Sequence, residues 1–134
     1  MTKFSKQKTA LIIGRWQPWH DGHQELFKRC IRKTGQVVIQ VRDVGGSSGG
    51  KNQDDNPFDW ITVCGNIEAG LIKDNFHRGK DYEIILVPNI VNISYGRGVG
   101  YSIEEEVFED EITNISATKI REKLRDEGKI KWEE

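Results

Sequence analysis

The chain reads as an α/β domain on a mainly parallel sheet, and three observations carry that reading. Short apolar, β-branched runs alternate with longer stretches whose apolar residues recur at helical spacing. The first run, Thr9-Ala10-Leu11-Ile12-Ile13, is apolar almost throughout, as expected of a strand buried on both faces. At 134 residues the chain can bury one core but not two comfortable ones, so a single domain over 1–134 is expected, with 1–8 as a flexible N-terminal tail.

After the first strand, Asp21 stands where an N-cap belongs, with Gln24 three residues on, and places His23 in the first helical turn. Leu26, Phe27, Cys30 and Ile31 give this helix its apolar side, and Gly35 ends it. Val37 to Arg42 is the second strand, completing a βαβ unit. The loop from Asp43 to Pro57 is rich in Gly, Ser, Asn and Asp. Asn56-Pro57 opens a helix over Phe58 to Ile72, with Trp60, Ile61, Cys64, Ile67 and Leu71 at helical spacing. Tyr82 to Val87 is the third strand, stopped by Pro88. The glycines at 96, 98 and 100 argue for an irregular turn, after which Ile103 to Phe108 reads as a fourth strand interrupted by three glutamates. Ser116 begins the last helix, Ile120 and Leu124 are its buried pair, and Gly128 ends it. This order predicts a three-layer α/β/α, Rossmann-like fold with a mainly parallel sheet of four to five strands.

Composition narrows the function. Twenty Lys and Arg against 21 Asp and Glu leave a net charge of -1, so no global field points to nucleic acid or a membrane surface. Cys30 and Cys64 have no metal or redox spacing and read as helical free thiols. The basic, polar start carries no apolar stretch long enough for a signal peptide or membrane span, which suggests a cytoplasmic protein.

Three glycine-bearing stretches compete as phosphate sites. Gly45-Gly46-Ser47-Ser48-Gly49-Gly50-Lys51-Asn52 approaches a P-loop, but Asn52 replaces the Ser or Thr that holds Mg²⁺, and the following residues cannot open the required helix. Gly96-Arg97-Gly98-Val99-Gly100 has the wrong spacing for a dinucleotide fingerprint. The third, Gly14-Arg15-Trp16-Gln17-Pro18-Trp19-His20-Asp21-Gly22-His23, sets two imidazoles around a helix start, where backbone N–H groups and the macrodipole favour anions.

This third stretch resembles the GRFQPxHxGH signature of the nucleotidyltransferase superfamily, with Trp16 where that signature usually has Phe. Ile115-Ser116-Ala117-Thr118-Lys119-Ile120-Arg121 resembles the second signature, ISxTxIR. The resemblance implies transfer of a nucleoside monophosphate from a nucleoside triphosphate, ATP or CTP, to a small phosphorylated acceptor, with release of pyrophosphate. It implies catalytic roles for His20, His23 and Arg121. It implies nucleotide binding by Gly14, Arg15, Trp16, Gly22, Ser116 and Thr118, and Mg²⁺ entering as the metal–nucleotide complex without a named protein ligand. No covalent nucleophile is needed, because charge building on the phosphates can be met by preplaced donors.

The branch stays open between adenylyl and cytidylyl transfer. Arg15, Gln17-Pro18 and Asn56-Pro57-Phe58 resemble the nicotinamide mononucleotide adenylyltransferases, whereas chain length and Thr118-Lys119-Ile120 suit the glycerol-3-phosphate cytidylyltransferases. The acceptor is expected near the 43–57 loop and the 89–97 turn, against Arg42, Asn89, Asn92 and Arg97. The shortness of the 88–103 stretch also leaves open a nucleotide-binding module without catalysis. A homodimer or higher homo-oligomer is expected by the same resemblance.

Overall fold

The computed structural model describes residues 3–44, 56–98, 100–106 and 117–127. The elements are α1 (Lys3–Lys6), β1 (Ala10–Gly14), α2 (Asp21–Thr34), β2 (Val37–Arg42), α3 (Trp60–Lys73), β3 (Tyr82–Val87) and α4 (Ala117–Asp126). At the N-terminus, where the sequence predicts a tail, α1 makes one helical turn. Gln36 Nε2 donates to the Phe4 carbonyl and to Thr9 Oγ1, tying that turn to the entrance of β2.

The three strands are parallel in the order β1-β2-β3. Ala10, Ile12 and Gly14 lie in register with Val37, Ile39 and Val41, which lie in register with Tyr82, Ile84 and Leu86. Because side chains alternate between faces, these residues share one side of the sheet. Ile12, Val37, Ile39, Val41, Tyr82 and Ile84 of that side are buried with Phe27 and Cys30 of α2 and Val63, Ile67 and Leu71 of α3. Full burial of a Phe27, Ile39, Ile67 or Leu71 side chain contributes roughly 1.5–3 kcal/mol.

Two expectations change here. The α/β class and the parallel sheet stand, but the described residues form three strands, not four to five. Their two crossover helices also pack into one core on one face. A strand order that follows the sequence, with right-handed crossovers, puts both helices on the same side. Leu11, Ile13 and Ile85 on the other face are 54%, 49% and 42% exposed. The fourth strand is absent over residues 103–106, which are irregular, while 107 and 108 lie outside the described residues. The glutamates explain the difference. Lys33 Nζ lies 2.7 Å from Glu104 and 3.0 Å from Glu106, so this segment is drawn to the basic end of α2.

The helix ends follow local chemistry. Gly35 caps α2 at φ 87°, a left-handed conformation suited to glycine, and its N–H donates to the Ile31 carbonyl. Asp59, not the Asn56-Pro57 pair, caps α3 by accepting from the Thr62 N–H. Cys30 is buried and Cys64 half-buried as free thiols, and burial pushes both thiol pKa values up. The glycine-rich stretch 45–52 lies outside the described residues.

Candidate active site

The site begins where β1 ends. Trp16 turns the chain at φ 56°, a left-handed conformation that costs a non-glycine residue on the order of 1–3 kcal/mol unless its surroundings hold it. They do hold it: the ring is 3% exposed and its Nε1–H donates to the Gln40 carbonyl of β2 at 2.9 Å. A Cβ on Gly14 would fall 3.0 Å from three atoms of that ring, which accounts for the glycine. With its face covered and its only polar atom bonded, the Trp16 side chain belongs to the floor beneath the loop.

The two histidines cap α2 together. The N-cap is His20, not Asp21, which becomes the first helical residue. The Gly22 N–H donates to His20 Nδ1 at 3.0 Å, and the His20 N–H donates to His23 Nδ1 at 3.2 Å. This is a capping box built from imidazoles, with His23 in the position usually taken by Glu or Gln. Their rings stack at 3.7 Å and 17°. Because each Nδ1 accepts a hydrogen bond, the proton of each neutral ring sits on Nε2.

Burial favours those neutral rings. It lowers the His20 pKa against a smaller raising effect of Asp21. His23 is pushed down to about 3, first by burial and then by His20. The pair thus offers Nε2–H hydrogen-bond donors rather than positive charge. Gly22, expected to bind nucleotide, has its N–H committed to His20.

Residues distant in sequence lock the loop. The side-chain amide of Gln17 donates to the Phe58 carbonyl at 3.0 Å and accepts from the Phe58 N–H at 2.9 Å. Arg121 of α4, 2% exposed, donates from Nη1 to the Gln17 carbonyl at 2.7 Å. The first motif and the second are thereby brought together. Arg15 Nη1 donates to Asn56 Oδ1 at 3.1 Å, joining the chain just after β1 to the far end of the 43–57 loop. Trp19 Nε1 donates to Gln24 Oε1 at 2.7 Å, and Gln24 Nε2 donates to the Gly70 carbonyl and to Asp74. Sequence reading missed Gln17, Asn56, Trp19 and Gln24 as site supports. The signal available for two of them was an amide directly before a proline, Gln17 before Pro18 and Asn56 before Pro57.

Other expected residues are placed less closely. Ser116 lies outside the described residues, and Thr118 is described only as part of the α4 backbone. Arg42 ends β2 at the carboxyl edge of the sheet, and its Nε is buried without a hydrogen-bond partner. Asn89, Asn92 and Arg97 are exposed on the irregular stretch after β3, with no hydrogen bond to the His20–His23 loop. A cleft of about 630 Å³ opens beside His20, with Pro18, Trp19, Phe58, Asn66, Lys73 and Leu124 among its lining residues. Among the described residues, no group of three His, Cys, Asp or Glu side chains is placed to hold a metal ion. No helix among them is long and apolar enough to cross a membrane.

No protein-family model matches the chain. The chain is, however, similar to several proteins named nicotinamide-nucleotide adenylyltransferase. The one from Methanococcus aeolicus is 29% identical over 139 residues, covering 86% of this chain and 76% of the relative. Those from Thermoplasma volcanium and Thermoplasma acidophilum are 37% and 38% identical over 84 and 83 residues. The latter matches cover 63% and 62% of this chain but only 42% and 41% of those proteins. These similarities bear out the resemblance to nucleotidyltransferases read from the two motifs.

Proposed function

We propose that the chain is an adenylyltransferase that moves AMP from ATP to a small phosphate monoester, releasing pyrophosphate, with nicotinamide mononucleotide as the first acceptor to test. The observation that carries this reading is the joining of the two motifs. His20 and His23 share one helix cap, and Arg121 is bonded to the backbone of the same loop. The names of the relatives support ATP over CTP as donor.

In this reading an acceptor phosphate oxygen attacks the α-phosphorus of ATP. The bond from that phosphorus to the bridging oxygen breaks, and its electron pair leaves with pyrophosphate. The Nε2–H groups of His20 and His23 donate to phosphate oxygens, matching the growing charge with dipoles that are already oriented. Arg121, buried and anchored at Gln17, sets a fixed positive charge behind the loop that favours the β- and γ-phosphates through the field rather than by open contact. Arg15 supports the acceptor side through Asn56. Among the described residues no set of side chains forms a cage for Mg²⁺; Mg²⁺ arriving on the triphosphate would neutralise phosphate charge. The cleft beside His20 is of a size that suits part of a nucleotide.

Pyrophosphate release tests the reading directly. ATP with nicotinamide mononucleotide should give turnover, and CTP with glycerol 3-phosphate should give much less. A second reading, a nucleotide-binding module without catalysis, draws on the exposure of Asn89, Asn92 and Arg97. Tight ATP binding with no pyrophosphate across a panel of phosphate monoesters would favour that module.

A further inference from the structure

We propose that Trp16 is a positioning residue that holds the His23 ring in its productive orientation by bolting it to the central strand. The bolt is the 2.9 Å bond from the indole Nε1–H to the Gln40 carbonyl, buried and spanning 24 residues. A Phe at this position, as in the signature the loop resembles, could not make it. The strand thus supplies a fixed reference that the loop alone lacks.

From that anchor the indole reaches His23. The two rings meet edge to face, 4.8 Å apart at 87°. This is a preferred geometry for aromatic pairs, so it resists rotation of the imidazole about its own axis. Gly14 closes on the indole from behind, since even a Cβ there would sit 3.0 Å away, and Trp19 packs against it at 5.1 Å. The indole is therefore confined by Gly14, Trp19 and Gln40 and passes that confinement to His23.

The His20 N–H donated to Nδ1 fixes one point of the His23 ring, the stacked His20 ring covers one face at 3.7 Å, and Trp19 packs at 5.6 Å. Of these neighbours His20 and Trp19 belong to the loop itself, whereas the indole of Trp16 is the contact that ties the ring, and so the direction of Nε2–H, to the central strand. Trp16 itself, at 3% exposure, has no surface with which to stack on a base.

The inference rests on the proposal that His23 donates to the transferred phosphoryl group, and the test separates the two. Trp16→Phe keeps an aromatic ring at this position and removes the N–H. In that variant kcat should fall on the order of tenfold, with ATP affinity held within about twofold, because misplacing a catalytic group slows chemistry more than binding. The ¹⁵N signals of the His23 ring, which distinguish the Nε2–H tautomer from a mixture, should move toward the mixture. Gly14→Ala pushes the same indole from the opposite side and should reproduce both effects, which keeps the test available if Trp16→Phe does not fold. Unchanged kcat and unchanged ¹⁵N signals in the folded variants would overturn the inference. So would a raised KM for ATP at constant kcat, which would make Trp16 a nucleotide contact. If the wild-type chain transfers no adenylyl group, the functional reading fails, while the ¹⁵N measurement still decides whether Trp16 fixes His23.

Discussion

Acidification should destabilise this protein through His23 before its carboxylates are protonated. A histidine in the unfolded chain takes up a proton near pH 6.5, whereas folded His23 does so near 3. Between these values the unfolded state binds the extra proton, so the contribution is fully present above pH 6.5 and is lost as pH falls toward 3. The slope is about 1.4 kcal/mol per pH unit, which makes the loss from this residue about 2 kcal/mol between pH 7.5 and 5. His23→Asn is the comparison, because an amide oxygen can accept the His20 N–H but does not titrate. Urea unfolding midpoints and slopes for both proteins across that range give the difference. His20 is also lowered, but it is present in both proteins and so largely cancels. The wild type should lose about 2 kcal/mol more than the variant. Parallel stability curves would refute the neutral, capped His23.

Four further substitutions probe the scaffold and the charge. Two glycines of α3 should respond with opposite signs. Gly65→Ala meets nothing within 4 Å and should raise stability by about 0.5–1 kcal/mol, whereas Gly70→Ala would set a Cβ 2.8 Å from the Trp19 ring and should cost about 1–3 kcal/mol, read as shifts in Tm. Gln17→Ala strips both partners from the Phe58 backbone and should cost about 2–3 kcal/mol by urea titration. Arg121→Ala should weaken binding of ATP more than of AMP in calorimetric titrations; equal weakening would remove it from the β- and γ-phosphates.

The first five major elements were legible because each carries its own period. Ala10–Gly14, Val37–Arg42 and Tyr82–Val87 are short β-branched runs, and the helices between them repeat their apolar residues every three or four positions. The exchange of Asp21 for His20 as the cap was not legible. Asp is the better cap in isolation, but here a second imidazole three residues on completes a reciprocal pair. The Glu104–Glu106 segment was misread because its apolar flanks suggest a strand, while its charges find Lys33 and Arg29. At the site, the motif named the histidines but not their supports. Gln17 acts through the backbone of Phe58, 41 residues away, and such a partner leaves no local pattern. The resemblance placed Trp16 with the nucleotide, and its bond to the Gln40 carbonyl, 24 residues away, leaves no local pattern in the sequence.

Transfer of the α-phosphoryl-linked nucleotide by a loop carrying two neutral histidines can be followed in parallel reactions with ATP labelled at the α- or the γ-phosphorus and nicotinamide mononucleotide as acceptor. The α-label should enter the acceptor product and the γ-label leave in pyrophosphate, with the rate reduced on the order of a hundredfold in His23→Ala. Label reaching the acceptor from the γ-position, or no α-label transferred despite bound ATP, would contradict that transfer.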